Sequence, residues 1–419
     1  MSSSSVVITG LGAVCAHGCG REAVARALAG GEPRLMEVDR SPGFHREMGS
    51  LQLAGSRLAS LVQGVDLKEW LSPMAARRMS PPSKMAVAAA KMAVAEAALE
   101  GEALHPAAVY VSTNFGPSTY SEKILEQVFH EGPEAVSPML FTESVANAPA
   151  AQIALAFRAV GPNVTVTQRE AGAVLALAGA AREVARGRVP TAVVAAVDEV
   201  STVLHATLDR LKALATPEAD GREVARPFDR RRTGFLLSEG ASALVLETEE
   251  SARARGARPL ARLRFFASGF DPGSSRVSWS ADGRVLADPL KRRLEEAGLD
   301  PAAIDRVVCG ASGSVAGDRL EAAVLKRLFG EQPLPPLLAP KAVFGEYGIG
   351  PLVPAVLATL GEPFGPTPGF EEEDPSLGVR PHDGRPLAVP ERVLVSSLAS
   401  GGAAAWAVLE PADPGRERS

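Results

Sequence analysis

Short apolar runs rich in β-branched residues alternate along the chain with longer stretches of helical periodicity. Residues 6–12 predict a buried strand that runs into a glycine turn at Gly10 and Gly12, and the Ala-rich residues 83–99 predict a helix. Further strands are predicted at 108–112, 163–167, 191–197, 243–247, 306–309 and 392–396, and further helices at 171–186, 288–297 and 318–328. Strands that alternate with helices are typical of an α/β protein whose sheets are covered on both faces.

The second half of the chain repeats the strand and helix pattern of the first half. Residues 253–264 carry many charges and small side chains, which indicates a joint between an N-terminal half at 1–251 and a C-terminal half at 252–411. Residues 362–391 are rich in Pro, Gly and acidic side chains, including the run from Glu371 to Asp374, and predict a solvated loop. The predicted architecture is therefore pseudo-duplicated, with a disordered tail at 412–419.

Composition narrows the class of protein. The 419 residues are 46% hydrophobic and carry a net charge of −5, which favours a sizeable core and disfavours nucleic-acid binding. No window approaches the roughly 18 consecutive apolar residues of a membrane span. The opening MSSSSVVITG lacks the features of a secretory signal, and three cysteines are too few for a disulfide framework. We expect a cytoplasmic protein with no membrane or nucleic-acid partner.

A signature in the middle of the chain resembles that of the β-ketoacyl-acyl carrier protein synthases. It consists of Arg226-Pro227-Phe228-Asp229, Gly234-Phe235 and the run SEGASALVLE at 238–247. Further similar segments are VVITGLGAV at 6–14, RRM at 77–79, FTESVANAPAAQI at 141–153 and GPN at 161–163. The resemblance extends to about residue 411 and implies a thiolase-type fold, with two similar halves in layered αβαβα order, and a dimer.

In that family a Cys at the start of a buried helix and two His carry the chemistry. The helix N-terminus stabilises the thiolate, and the His pair helps to expel CO2 from a malonyl donor and stabilises the enolate oxygen. The family pattern places Glu170 at the Cys, and Gly310 and Glu346 at the two His. We therefore expect no catalytic residue. The scaffold residues of the pattern that are retained are Lys341, Asp318 and Glu321.

Loss of every chemical position beside a retained fold signature resembles a chain-length-factor-type subunit, a ketosynthase homologue that forms a heterodimer with a Cys-containing ketosynthase. The resemblance implies an acyl carrier protein and an acyl or polyketide intermediate as further partners, and no cofactor or metal. In relatives the acyl pocket lies at the heterodimer interface, in a segment that here contributes Phe141, Thr142, Val145 and Asn147. We expect Phe141 and Val145 to set the length of the product.

Two other functions are compatible with the sequence: an acyltransferase or malonyl decarboxylase that uses Glu170, and a homodimeric scaffold. Chain-length-factor subunits often carry Gln at this position, and such a Gln is linked to malonyl decarboxylation. If Glu346 points toward Glu170, the two carboxylates compete and one pKa rises strongly, so that a protonated Glu170 is close in shape to Gln. An ionised Glu170 is instead stabilising by about 0.3 to 1 kcal/mol at the helix N-terminus, with Arg169 adding to it.

Other reactive side chains fit structural roles better than chemical ones. Cys15, His17 and Cys19 lack a second ligand pair and are assigned to a loop rather than to a metal site. Cys309 has no adjacent His to activate it, and His205 falls within a helical stretch. The glycines of the first strand do not complete a dinucleotide-binding fingerprint.

Two groups of arginines are candidate contacts to an acidic carrier protein. Arg77 and Arg78 precede the Ala-rich helix, and Arg230, Arg231 and Arg232 follow the signature aspartate. A solvated charged turn is the alternative interpretation of both groups.

Overall fold

The structure, a computed structural model, describes residues 4–40 and 55–412. Its helices are α1 (Gly20–Gly30), α2 (Pro73–Ala76), α3 (Pro81–Glu96), α4 (Ser118–Glu131), α5 (Pro138–Ser144), α6 (Ala148–Phe157), α7 (Gly172–Ala185), α8 (Thr202–Arg210), α9 (Glu249–Ala254), α10 (Arg284–Glu296), α11 (Val315–Phe329), α12 (Lys341–Phe344) and α13 (Leu352–Thr359). Its strands are β1 (Val6–Cys15), β2 (Gly18–Cys19), β3 (Met36–Glu37), β4 (Leu58–Ser60), β5 (Ala108–Ser112), β6 (Asn163–Val166), β7 (Thr191–Asp198), β8 (Leu237–Ser238), β9 (Gly240–Thr248), β10 (Ala261–Phe270), β11 (Arg306–Val308), β12 (Leu337–Leu338), β13 (Glu346–Tyr347), β14 (Val393–Leu398) and β15 (Ala403–Pro411).

The large sheet contains the same five-stranded arrangement twice. The spatial order is β6-β5-β7-β9-β1 in the first half and β12-β11-β14-β15-β10 in the second. In both halves the three strands at the outer edge are parallel, and the last strand in sequence is antiparallel to its two neighbours. The halves meet where β1 pairs with β10 over three residues. The predicted pseudo-duplication is confirmed.

Helices separate and cover the two half sheets in five layers. A central core contains residues of α1, α7 and α13 together with one face of each half sheet. Helices α3 and α6 cover the outer face of the first half, and α10 and α11 cover the outer face of the second. Strand β15 shows the alternation, because Ala405 and Ala407 face the central core whereas Trp406 and Val408 face the outer one. The predicted αβαβα order is confirmed.

The prediction of a glycine turn after the first strand is wrong. Strand β1 continues to Cys15, and Gly10 and Gly12 lie within it at the point where α3 packs on the strand. A Cβ atom on Gly12 would overlap the carbonyl oxygen of Ala89 and would lie 2.7 Å from Met92 Cβ. The glycines therefore permit a close approach of helix and strand.

The other predicted strands and helices are present, with ends that shift by a few residues. Helix α11 begins earlier than predicted because Ser314 caps it, its Oγ accepting a hydrogen bond from the Gly317 amide at 3.2 Å. Helices α4, α5 and α6 do not follow from the sequence pattern. Helix α4 contains no buried residue, and its apolar side chains Leu125, Val128 and Phe129 are exposed in this chain rather than packed in a core.

Residues 362–391 form a loop, as predicted, but the loop is not solvated throughout. Leu377 and His382 are buried in it. The acidic run pairs with the arginines of the signature, as Arg230 with Glu372 (2.8 Å), Arg231 with Glu371, and Arg232 with Asp374 (2.7 Å). Arg230 and Arg231 stay exposed at a turn, as the solvated-turn interpretation predicts, whereas Arg232 is buried, and a carrier contact stays a prediction.

The predicted tail lies outside the described residues except for Ala412, and the boundary between the two halves stays a prediction. Helix α9 ends and strand β10 begins within the predicted joint. In the part of the chain that the structure describes, no helix is long and apolar enough to cross a membrane.

Candidate functional site

A sharp turn between β6 and α7 places Glu170 at the centre of the molecule. The turn is a short 3-10 segment, Arg169–Ala171, and Arg169 adopts a left-handed conformation with φ of 46°. Glu170 is buried, with 7% of its surface exposed, at the start of α7. The position that the family pattern assigns to a nucleophile therefore holds a buried carboxylate.

Hydrogen bonds fix both ends of the Glu170 residue. The Tyr347 hydroxyl donates to Oε1 at 3.2 Å, the Ser400 amide donates to Oε2 at 3.1 Å, and the Ser397 hydroxyl donates to the main-chain oxygen. The Arg169 guanidinium donates to Ser400 Oγ at 2.8 Å. Arg169 thus supports Glu170 through Ser400 rather than by pairing with it directly.

Glu346 is held by a buried ion pair. Lys341 Nζ lies 2.5 Å from Glu346 Oε1, and both side chains are buried. Burial alone would lower the pKa of Lys341, but the charges of Glu346, Glu170 and Glu321 outweigh it and the pKa lies above its ordinary value. A single ammonium group therefore compensates three carboxyl groups.

The pKa of Glu170 is raised to about 7 from 4.5. Burial is the largest cause, the charge of Glu346 is the next, and Lys341 opposes both. The rise predicted for one carboxylate of this pair is confirmed, although the larger part of it comes from loss of hydration.

Gly310 leaves the position of the first His without a side chain. Its amide donates to Glu321 Oε1 at 3.0 Å, and burial raises the pKa of Glu321 to about 7. Asp318, on the same helix, accepts a hydrogen bond from the Phe228 amide at 2.8 Å and so ties the signature segment to α11. The retained scaffold residues thus hold loops in place. The Glu170 cluster, defined here as Glu170, Glu321, Lys341, Glu346 and Tyr347, contains neither a thiol nor an imidazole.

Tyr347 is the site residue that sequence reasoning missed. It lies directly after Glu346, is buried, and adopts a left-handed conformation with φ of 74°. Its ring meets those of Phe115 and Phe235 edge-on, at centroid distances of 5.1 and 5.9 Å. The sequence could have pointed to this residue, because it directly follows Glu346 and tyrosine is rare in the chain, with three in all.

A buried carboxylate holds the loop that carries Phe115. Asp198 accepts hydrogen bonds from the Thr113 hydroxyl (3.1 Å), the Asn114 amide (2.8 Å) and the Phe115 amide (3.2 Å). Burial raises its pKa to about 6 against these hydrogen bonds. The ring of Tyr347, which contacts both Phe115 and Phe235, is therefore held in part from the end of β7.

The predicted pocket and carrier residues lie on the surface, apart from the Glu170 cluster. The exposed predicted residues are Phe141, Thr142, Val145, Asn147, Arg77 and Arg78. In the structure Glu170, Glu346 and Gly310 lie in one region. The charge of Lys341 interacts with Glu170, Glu346 and Glu321, and Glu321 accepts the hydrogen bond from the Gly310 amide. The structure does not bring the predicted pocket residues to that region within this chain.

The remaining candidates have structural contacts. His205 lies in α8, and its Nδ1 is 2.8 Å from Arg40 Nη2. Cys309 is buried, which raises the pKa of its thiol well above the ordinary value. Among the described residues no group of three or more His, Cys, Asp or Glu side chains is arranged to hold a metal ion.

Replacement of Glu170 by Gln is expected to flatten the pH dependence of stability. A carboxyl group with a raised folded-state pKa stabilises the fold below its unfolded-state pKa of 4.5, and this contribution is lost as pH rises to about 7. Glu170→Gln should therefore match the parent chain near pH 5 and exceed it at pH 8 by on the order of 2 kcal/mol in free energy of unfolding. Urea denaturation at both pH values measures this difference.

Glu250→Gln, at an exposed position of α9, is the matched control. Its free energy of unfolding should equal that of the parent chain at both pH values. Equal pH slopes for Glu170→Gln and the parent chain would contradict the raised pKa of Glu170.

Comparison with known proteins identifies the family. The family model for the β-ketoacyl synthase N-terminal domain matches residues 3–252, and that for the C-terminal domain matches residues 260–348. The chain is 30% identical over 415 residues to the actinorhodin polyketide β-ketoacyl synthase 1 of Streptomyces coelicolor, covering 94% of this chain and 85% of that protein. It is 27% identical over 413 residues to 3-oxoacyl-(acyl-carrier-protein) synthase 2 of Vibrio cholerae, covering 96% and 98%.

Solved structures agree with the sequence relatives. The ishigamide ketosynthase/chain length factor superposes with a TM-score of 0.86 at 28% identity, covering 98% of this chain and all of that chain. A β-ketoacyl synthase from Burkholderia phymatum gives a TM-score of 0.85 at 25% identity, with the same coverage. The predicted thiolase-type fold is thereby confirmed. On the family models, the relatives and the fold together, the chain belongs to the β-ketoacyl synthase family.

Proposed function

We propose that this chain is a non-catalytic, chain-length-factor-type subunit that pairs with a Cys-containing ketosynthase and shapes the pocket for the acyl or polyketide chain. The observation that carries the proposal is the occupation of the three chemical positions by Glu170, Gly310 and Glu346. Condensation by this family's route requires a thiolate to hold the acyl chain and donors to stabilise an enolate. The cluster has no thiol, and its two side-chain donors, the Tyr347 hydroxyl and the Lys341 ammonium, are already engaged by Glu170 and Glu346.

The contacts of Glu170 argue against a substitute catalyst. A carboxylate is a weaker nucleophile than a thiolate, and that of Glu170 is buried and hydrogen-bonded to Tyr347 and Ser400. The neighbouring cation is 2.5 Å from Glu346 and neutralises that group. The Tyr347 hydroxyl occupies one oxygen of the Glu170 carboxyl group, and its ring packs edge-on against Phe115 and Phe235.

An apolar surface suited to a protein partner supports the heterodimer. Sixteen large apolar side chains are exposed in the described residues, and nine of them fall between positions 115 and 160. This apolar face comprises Phe115, Leu125, Val128, Phe129, Met139, Phe141, Val145, Leu155 and Val160. Helices α4 and α5, which carry five of these side chains, pack on each other, and exposed apolar groups that lie together mark interaction sites. Strand β6, at the edge of the sheet, lies in the adjoining segment.

The names of relatives point in the same direction. A structural neighbour at 28% identity is named a ketosynthase/chain length factor, and another, at 21% identity, comes from a structure of a type II polyketide synthase acyl carrier protein in complex with its ketosynthase. An acyl carrier protein and its acyl cargo are the proposed further partners, with exposed Arg77 and Arg78 as carrier contacts. The proposed compartment is the cytoplasm, where the three free cysteines would stay reduced.

Co-expression with a Cys-containing ketosynthase from the same genome is expected to give a stoichiometric heterodimer. Because this chain lacks the nucleophile, malonyl-dependent elongation should require both chains and should disappear when the partner's cysteine is replaced by alanine. Glu170→Ala in this chain should leave the rate of the complex within about twofold. Mass photometry and product analysis measure the two outcomes.

Turnover of an acyl or malonyl substrate by this chain alone would overturn the proposal. If Glu170→Ala then abolished that turnover, the decarboxylase or acyltransferase alternative would replace it. A stable homodimer that does not bind the ketosynthase would favour the scaffold alternative.

Replacing Phe141 by Asp is expected to weaken the heterodimer. Phe141 is 60% exposed in the isolated chain, so the change costs little folding stability, but it would bury a charge in the proposed interface. We expect at least a tenfold rise in the dissociation constant, roughly the effect of losing a central apolar contact. Val389→Asp is the matched control, since Val389 is 56% exposed on a distant loop. Equal dissociation constants for the two variants would exclude Phe141 from the interface.

A further inference from the structure

A positively charged groove lies at the end of α7 remote from Glu170. It has a volume of about 570 Å³ and is bounded by the last turns of α7, strand β10 and the start of β1. Four arginines line it, Arg182, Arg186, Arg262 and Arg264, and no acidic residue does. The net charge of the whole chain is −5, so this α7–β10 groove is a local concentration of the opposite sign.

Two of the four guanidinium groups are already paired. Arg262 Nη2 lies 2.7 Å from Glu249 Oε1, and Arg264 Nη2 donates to the Ala297 carbonyl at 3.1 Å. Arg182 and Arg186 form no ion pair with any residue between 4 and 40 or between 55 and 412. The groove therefore presents two positive charges that a ligand could neutralise.

The groove also has an aromatic wall. The guanidinium carbon of Arg182 lies 5.1 Å from the centroid of the Phe266 ring. A planar guanidinium beside an aromatic ring offers stacking surfaces to a second flat group. The opposite wall is fixed, because the Ser4 amide donates to the Ala185 carbonyl at 3.4 Å and the Glu249 amide donates to the Ser5 carbonyl at 2.9 Å.

A larger groove, of about 890 Å³, lies on the 362–391 loop and differs in its charges. There Arg380 pairs with Glu373 at 2.5 Å, and Arg385 pairs with Asp383 at 2.9 Å. Those cations are neutralised within the loop. The α7–β10 groove thus differs from the larger groove in two ways. Arg182 and Arg186 have no acidic partner among the described residues, and Arg182 lies beside the ring of Phe266.

We infer that the α7–β10 groove binds a planar aromatic anion. The flat ring stacks along Arg182 and Phe266, and its phosphate or carboxylate pairs with Arg186. A nucleotide and an aromatic carboxylic acid share this chemistry. Helix α7 has 14 residues and therefore places the groove about 20 Å from Glu170, so this site is independent of the proposed function.

Calorimetric titration of the purified chain with adenosine monophosphate, naphthoate and inorganic phosphate tests the inference. We expect saturable one-to-one binding of at least one aromatic anion, at least about tenfold tighter than phosphate and weakened by added salt. Tighter binding of adenosine monophosphate would identify the ligand as a nucleotide, and tighter binding of naphthoate as an aromatic acid. Absence of saturable binding by both, or equal affinity for phosphate, would overturn the inference.

Two variants test the assignment of residues. Arg186→Gln and Arg182→Gln should each weaken binding of the aromatic anion by about tenfold, since the first removes the charge-assisted contact to the anion and the second removes the stacking guanidinium group. Arg292→Gln, at an exposed position of α10, is the matched control and should leave affinity unchanged. Both arginines are exposed, so melting temperatures should stay equal in all three variants. Equal affinities in Arg186→Gln and Arg292→Gln would place the ligand elsewhere.

Discussion

Lys341→Met is expected to destabilise the chain by about 3 to 5 kcal/mol at pH 8, because it leaves buried carboxylates without their cation. Lys341 lies 2.5 Å from Glu346, and its charge also acts on Glu170 and Glu321. Methionine has a similar length and keeps the packing, so the loss reports charge rather than volume. Urea denaturation measures the difference in free energy of unfolding.

Two further measurements separate this charge effect from a packing defect. The destabilisation should shrink at pH 5, where Glu170 and Glu321, whose pKa values are about 7, are protonated. Adding Glu346→Gln to Lys341→Met should restore more than half of the lost stability, because the unpaired charge is then absent. Lys326→Met, at an exposed position of α11, should change stability by less than about 0.5 kcal/mol. A loss that is equal at both pH values would refute the charge explanation.

Gly12→Ala is expected to destabilise the chain by about 3 kcal/mol or more, because the added methyl group has no space between β1 and α3. Its carbon would overlap the Ala89 carbonyl oxygen and lie 2.7 Å from Met92 Cβ. The backbone of a helix yields less readily than a side chain, so α3 must shift as a unit. Circular dichroism and urea denaturation of the purified variant measure the loss.

Gly30→Ala is the matched control for this substitution. Gly30 lies in α1, and a Cβ atom there has no neighbour within 4 Å. Alanine should therefore be neutral or slightly stabilising in the helix. A Gly12→Ala variant as stable as Gly30→Ala would mean that α3 does not pack closely on β1.

The Glu170 cluster fills the region where the family pattern has a Cys and two His. A buried Cys and two His would leave a cavity if simply deleted, and cavities cost stability. Here Glu170, Tyr347 and Glu346 fill the region, and Lys341 supplies the compensating charge. This region is therefore part of the packed interior, which is consistent with the non-catalytic role proposed above.

The sequence by itself determined the family and the positions of seven strands of the large sheet, whereas β10, β12 and β15 were not predicted. Strand β5 has the predicted bounds, and the aligned motifs place Glu170, Gly310 and Glu346 where the family pattern has its Cys and two His. These features are local: periodicity follows from neighbours along the chain, and each motif occupies a few consecutive residues.

Only the tertiary structure decided which side chains share a site. Tyr347 and Ser400 meet Glu170 across separations of 177 and 230 residues, and the arginines after the signature meet the acidic run across about 140. The role of Gly12 likewise depends on a helix more than 70 residues away. Such contacts depend on how layers pack, and a local pattern carries no record of the partner that a buried polar or glycine residue will meet.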